Sequence, residues 1–306
     1  SKNCFTKEES YLNETLSKIG YIVKQMENKS EIKYITDKKR ELEEFIKLEA
    51  MKVEFLSNMS HEFRTPINII LAITQLLNMH NKSLSDEKYK EYLNILKQNS
   101  YRLLRLINNV MDITKVNSDS DKLNLVNCNI VSVLEEIVMS TVLYASEKKR
   151  NIIFDTDSEE IILACDEDKI ERIMLNLISN AIKFSDCDTD IEVKINTNLD
   201  LNRVYISIKN YGSNIEFKDR EKIFERFYRV DNSLNRKNEG CGIGLFLCRK
   251  FIEMHGGEIF LDNIDNGTQF SFYLPINITE EKINNPIIQK DSLIEKCNIE
   301  FSDIYT

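Results

Sequence analysis

A chain of 306 residues has room for about two domains. With 42% hydrophobic and 30% charged residues and no tryptophan, it reads as soluble, globular, charge-rich and helix-heavy. The net charge of −9 excludes a general nucleic-acid binder, which would be basic, but leaves room for a phosphate-bearing ligand in a local site.

Cys4, Cys128, Cys165, Cys187, Cys241, Cys248 and Cys297 are scattered, odd in number and never spaced C-x-x-C. That pattern reads as reduced cytosolic thiols rather than a disulfide framework or a zinc site. No apolar run approaches the roughly 18 residues of a membrane span. The chain opens on Ser1, and the expectation is a cytoplasmic portion, with any membrane attachment left to an upstream segment.

The first 115 residues hold one glycine, Gly20, and one proline, Pro66, so long helices are predicted there. Leu12, Leu16, Ile19, Val23 and Met26 alternate steps of four and three, a short coiled-coil seam that residues 29–36 blur. A charged helical stretch then runs unbroken into "NMSHEFRTP", Asn58 to Pro66. "NMHNKSLSDEK", residues 78–88, reads as a loop ending in a cap at Ser85 or Asp86. Tyr89, Leu93, Leu96, Ser100, Leu103, Ile107 and Val110 then mark the cleanest helix of the chain. Two long helices and a short loop make an antiparallel hairpin. Its exposed seam is expected to be buried in a dimeric four-helix bundle, or else against the second domain.

Beyond a polar linker at 116–122 the pattern alternates. Helices are predicted over 129–149, 166–184 and 243–255, and strands at "NIIF", "IILA", "DIEVKIN", "RVYISIKN", "EIFLDN" and "TQFSFYLP". The mixture reads as an α+β sandwich, one sheet covered by helices. The tail after Pro275 is polar, with room for a helix around 289–297.

At about 100° per residue, Met59, Phe63, Ile67 and Ile70 share one face, and His61 points away from it, exposed. Glu62 is adjacent and also expected on the solvent side, where a carboxylate can take the imidazole proton. Pro66 removes the i+4 donor for the Glu62 carbonyl, so the helix is expected to bend there, at roughly 3 kcal/mol. Further along, Asn176 and Asn180 stand four apart on one helix face, with Lys183 close by. Their carboxamide oxygens are hard neutral ligands suited to Mg²⁺, and the lysine can meet a phosphate. Gly240, Gly242 and Gly244 precede a helix, where backbone N–H groups can approach an anion.

"FLSNMSHEFRTPINII" resembles the H-box of two-component sensor histidine kinases. "NLISNAIKF" resembles their N-box, "EKIFERFYRVD" their F-box, and "EGCGIGLFLCRKFIEMHGG" their G2 box. The four come in the family's order over about residues 50–275. The resemblance implies an α-helical hairpin, dimerising as a four-helix bundle, followed by an α/β (α+β) sandwich of the GHKL ATPase type. It implies an ATP-dependent kinase with ATP and Mg²⁺ as cofactors. His61 would be the phosphoacceptor, Glu62 the general base, and Thr65 a positioning residue for phosphatase action. Asn180 would hold the metal with Asn176 beside it. Lys183, Arg226 and Arg229 would reach phosphate, Phe224 and Phe227 would pack a lid, and Gly240, Gly242, Gly244 and Leu245 would form the glycine-rich turn.

The departure is at "IKNYGSNIE": Asn210 replaces the aspartate that accepts from the adenine amino group, Gly212 is kept, and Asn214 replaces the second glycine. An amide accepts without charge, so weaker ATP binding is expected. Asn214 is expected to adopt the positive φ that the glycine would. The implied partners are a second copy of the chain and the receiver domain of a response regulator, with no nucleic acid. The expected domains are a signalling helix or coiled coil at 1–45, the dimerisation and phosphotransfer domain at 46–117, the catalytic domain at 118–275, and a tail at 276–306. The alternative is a pseudokinase or phosphatase-only scaffold. A chaperone-like ATPase would want a glutamate base where Asn176 stands.

Overall fold

The computed structural model describes residues 2–79, 84–116, 122–230, 242–280 and 290–302. They fall into two compact units, 1–57 and 58–306. The first unit is helix alone, and the side chains of its expected seam, Leu12 to Met26, lie outside the described residues. So do residues 80–83 of the hairpin loop, most of the 116–122 linker, and residues 231–241 with Gly240.

Helix α1, Lys2–Met79, is continuous. The blurred stretch at 29–36 does not interrupt it, and it runs through Pro66, whose ring is buried. Helix α2, Asp86–Val116, starts after Ser85, whose Oγ accepts from Lys88 N at 3.4 Å. In the single chain the marked face of α2 is partly open, with Tyr89, Leu93 and Ile107 exposed, while Asn99, Arg102, Leu106, Asn109 and Ile113 are buried. The polar positions turn inward because charged partners from three other elements meet them, as described below. Ile67 of α1 is likewise exposed.

The remainder of the second unit is a layered α/β structure. Strand β1, Val126–Asn129, escaped sequence reading because four residues carry almost no period; it pairs antiparallel with β3, Ile162–Cys165. Between them lie helix α3, Ile130–Glu147, and strand β2, Asn151–Thr156. Asn129 caps α3 by accepting from Val131 N at 3.2 Å. Helix α4, Glu167–Phe184, is followed by β4, Asp190–Asn198, and β5, Arg203–Tyr211. Two 3₁₀ turns at Phe217–Asp219 and Lys222–Phe224 lead towards helix α5, Gly244–Met254. Strands β6, Glu258–Ile264, and β7, Gly267–Pro275, follow, and helix α6, Lys290–Glu300, ends the described chain, matching the helix expected near 289–297.

The main sheet runs β2-β4-β5-β7-β6, antiparallel except for β2 with β4. Alternation puts Ile191, Val193 and Ile195 of β4 and Val204, Ile206 and Ile208 of β5 on the buried face. Ile173, Leu177 and Ile178 of α4 and Leu247, Phe251 and Ile252 of α5 are buried with them. Among the described residues Cys128, Cys165, Cys187, Cys248 and Cys297 are free thiols. Among the described residues no helix is long and apolar enough to cross a membrane.

Candidate functional site

His61 is exposed on α1, as its helical phase required. Thr65 Oγ1 donates to the His61 carbonyl at 3.3 Å, one turn before the N–H that Pro66 lacks. The expectation for Glu62 is corrected. Its carboxylate is half-buried and accepts from Arg102 Nη2 of α2 at 3.1 Å, with the Arg102 side chain 6% exposed. The partner stands 40 residues away in sequence, and no local pattern announces it.

A second cluster forms around α4. Its N-terminus is fixed by Asp166, which accepts from Lys169 N at 3.1 Å and Asn124 N at 2.9 Å. The Asp166 N–H donates to Nε2 of His255, the residue that ends α5, at 3.0 Å. His255 Nδ1 lies 2.6 Å from the Phe251 carbonyl, which sets the neutral tautomer with its proton on Nδ1. Burial pulls His255 below the usual imidazole range, outweighing the pull of that carbonyl and of Asp166 in the other direction.

The expected boxes meet along α4. Asn176 is buried, and a Cβ on Gly244 would fall 2.2 Å from its Nδ2. The glycine at the start of α5 is therefore the space that the Asn176 carboxamide occupies. Asn180 Nδ2 donates to Asn176 Oδ1 at 3.3 Å, so the pair is one connected unit with the Asn180 oxygen kept as an acceptor. Lys183 is half-buried in the last turn of the same helix. Gly212 lies against the end of α4: Ser185 and Gly212 form an isolated bridge, and a Cβ there would meet the Phe184 carbonyl at 2.2 Å. Gly242 adopts φ +65, and its carbonyl accepts from Phe227 N at 2.9 Å, joining the F-box to the glycine turn.

Arg226 stacks on the Phe246 ring of α5 at 4.5 Å, while Arg229 is exposed. Leu245 is half-buried in the first turn of α5. Phe224 is buried edge-on to Phe270 of β7 at 6.1 Å, so it anchors the segment to the sheet, and Phe227 is half-buried at φ +67.

Asn210 ends the buried face of β5 and is 2% exposed; its Nδ2 has no hydrogen-bond partner among the described residues. A buried amide donor left unmade is costly, which marks the position as one that a ligand would complete. Asn214 corrects its expectation. It does not take positive φ; its Oδ1 accepts from Gly267 N at 2.7 Å, and Asn266 carries the left-handed turn at φ +57.

Sequence reading missed the acid nearest this cluster. Glu300 of α6 is buried and accepts from Arg172 of α4 at 2.7 Å and from Arg105 of α2 at 3.0 Å. Asn176 Nδ2 is 3.5 Å from the same carboxylate. No motif includes this glutamate, and its partners are 124 to 195 residues distant.

The donor set fits a magnesium nucleotide. Among the described residues no three His, Cys, Asp or Glu side chains gather as a metal cage. A hard cation held by one or two protein oxygens and by phosphates needs none. The orphaned Asn210 amide, the half-buried Lys183 and the glycines that clear Asn176 and the turn are the parts that a base, phosphates and a metal would use.

Residues 51–119 match the family "His Kinase A (phospho-acceptor) domain", and residues 165–278 match "Histidine kinase-, DNA gyrase B-, and HSP90-like ATPase". The chain is 30% identical over 239 residues to the sensor histidine kinase WalK of Bacillus subtilis (strain 168), covering 77% of this chain and 38% of that protein. It is 30% identical over 235 residues to the WalK sensor kinase of Staphylococcus aureus, covering 76% and 56%. Thus the chain spans less than two thirds of these curated relatives' length. Among solved structures it resembles full-length ShkA in complex with AMPPNP (TM-score 0.55, 26% identity, 74% of this chain and 46% of that one). It also resembles the histidine kinase ThkA in complex with the response regulator protein TrrA (TM-score 0.54, 27% identity, 73% and 61%).

Proposed function

The chain belongs to the sensor histidine kinases, with a phosphoacceptor domain and an ATPase-type domain, and on that premise we propose that it phosphorylates its own His61 from ATP and passes the phosphoryl group to a receiver-domain aspartate. The observation that carries this reading is the convergence of Asn176, Gly212, Phe227 and Gly244 around α4 and the glycine turn, in one compact unit with an exposed His61. Residues 46–117 serve as the dimerisation and phosphotransfer domain, 118–275 as the catalytic domain, 1–45 as an input helix, and 276–306 as a tail.

Bound ATP with Mg²⁺ supplies the phosphoryl group and neutralises charge as it moves. Asn180, with Asn176 bracing it, would hold the metal; Lys183, Arg226 and Arg229 would meet phosphate oxygens. Gly240, Gly242, Gly244 and Leu245 would form the turn that lets the backbone approach them. Asn210 would complete its amide against the adenine edge, with Gly212 closing the pocket floor. His61 would attack the γ-phosphorus through a ring nitrogen as the bond to the β–γ bridging oxygen breaks and ADP leaves. Its other nitrogen gives up a proton to Glu62, which must first exchange its Arg102 partner for the imidazole. Thr65, exposed one turn on, would orient water or the receiver aspartate in the reverse, phosphatase direction.

The chain would work as a homodimer in the cytoplasm. Leu93 and Ile107 of α2 and Ile67 and Leu71 of α1 are exposed, an apolar face that a second hairpin would cover. The structure of ThkA with TrrA is of a relative with a response regulator, and this supports the same class of partner here. The second reading, a pseudokinase or phosphatase-only scaffold, draws on Asn210, which offers adenine an uncharged acceptor.

The deciding test is His61→Gln with radiolabelled ATP. The wild-type chain should take acid-labile label and the variant none, with nucleotide binding unchanged. Acid-labile label persisting in the variant refutes the assignment; no label on a wild-type chain that binds ATP favours the scaffold.

A further inference from the structure

Helix α6 lies beyond both family matches and is nonetheless built into the fold. Leu293, Cys297 and Phe301 are buried; Phe301 stacks on Tyr144 of α3 at 4.8 Å, and the Tyr144 hydroxyl donates to Asn298 at 3.0 Å. Lys296 donates to Asp168 and Glu171 of α4 at 2.8 and 2.9 Å. Glu300, 1% exposed, ties three elements together. Its Oε1 accepts from Arg105 Nε of α2 at 3.0 Å, and its Oε2 accepts from Arg172 Nη1 of α4 at 2.7 Å. Arg172 in turn donates to Asn109 of α2 at 2.6 Å and pairs with Asp112 at 3.5 Å.

Two observations give this tie a direction. The Asn176 carboxamide faces the Glu300 carboxylate at 3.5 Å, so the tail reaches the proposed phosphate-binding helix itself. And while the tie is closed, His61 is exposed. Phosphoryl transfer needs the reacting atoms within about 3–3.5 Å, so the nucleotide must come to cover His61. An exposed His61 is one that the nucleotide-binding domain does not cover.

We propose that α6 is an autoinhibitory latch: Glu300 pins the nucleotide-binding domain to α2 with His61 uncovered and thereby restrains autophosphorylation. Releasing it parts the buried Glu300 carboxylate from the Arg105 guanidinium, which is unfavourable because each charge then loses a partner. The latch therefore biases a two-position equilibrium, and anything that favours the His61-covering position must overcome it. The inference rests on His61 as the phosphoacceptor.

The test uses the full chain. Glu300→Gln keeps the side-chain size and removes its charge; at saturating ATP it should raise the initial rate of His61 labelling at least threefold. Arg105→Gln breaks the same tie from α2 and should do likewise, which covers the case in which the Glu300 variant fails to fold. A folded variant labelling at or below the wild-type rate overturns the proposal. On the unmodified chain, hydrogen exchange through 290–302 should rise when a non-hydrolysable ATP analogue with Mg²⁺ is added; unchanged protection also overturns it. A wild-type chain that takes no label counts against the kinase reading, and the exchange measurement then still decides whether α6 lets go.

Discussion

Gly244→Ala probes the junction of the glycine turn with α4. The added Cβ would lie 2.2 Å from Asn176 Nδ2, 2.7 Å from Oδ1 and 2.8 Å from Cγ. All three carboxamide atoms stand in the way, so turning the amide over gives no relief. Heavy atoms attract at about 3.5 Å or more, so the group must retreat by about 1 Å in a buried position. Retreat stretches the bonds to Asn180 and Glu300, at 3.3 and 3.5 Å already weak, while overpacking of this kind costs about 1–3 kcal/mol. Alanine regains at most about 1 kcal/mol of helix propensity, less at the first helical residue. The net loss is about 1–2 kcal/mol, or roughly 3–6 °C in Tm for a unit of this size. The assay is a double-mutant cycle in urea or thermal unfolding, with ATP affinity read in parallel. In an Asn176→Ala background, Gly244→Ala should be neutral or stabilising, a coupling of at least about 1 kcal/mol. Additive losses would refute the claim that the glycine exists to seat this carboxamide.

Two further expectations concern buried polar groups. Asn210→Asp exchanges an orphaned donor for a buried carboxylate, so the ligand-free protein should melt lower while calorimetry shows tighter ATP–Mg²⁺ binding; equal or weaker binding would mean that the site is shaped for the amide. His255, whose neutral ring accepts from Asp166 N, has a folded pKa below its unfolded value of about 6.5. Its contribution to stability is therefore complete above that value and is lost as pH falls through the folded pKa. Between about pH 7.5 and about pH 5.5 the wild-type Tm should fall more steeply than that of His255→Gln; parallel curves would remove His255 from the account.

What was legible followed from period and phase. Strands β2, β4 and β5 alternate over six to nine residues and declared themselves, and the 100° step alone placed His61 in solvent. Asn176 and Asn180 were readable as a pair because four residues return to the same helix face. What stayed hidden depends on partners brought from afar. Glu62 meets Arg102, Asn176 meets Glu300, and Asn214 caps Gly267 instead of turning the chain. In each case a local preference of one residue was overruled by a partner that folding delivers from another element.

Helix α2 shows what such overruling accomplishes. A stripe of leucines and isoleucines is ordinarily the face that a helix buries within its own chain. Here Leu93, Leu104, Ile107 and Met111 are exposed, and the inward stripe carries Arg102, Arg105, Asn109 and Asp112. Between them these residues meet three elements: Glu62 of α1, Glu300 of α6, and Arg172 of α4. An apolar interface would hold tightly and without preference for one register. A polar one is specific in geometry, because each buried charge is tolerated only while its partner is present. The division of faces therefore matches two tasks. On the proposed function, the greasy stripe would suit a permanent association with a second hairpin, and the charged stripe would suit a contact that is made, broken and remade in one defined position as the nucleotide domain reaches His61 and withdraws.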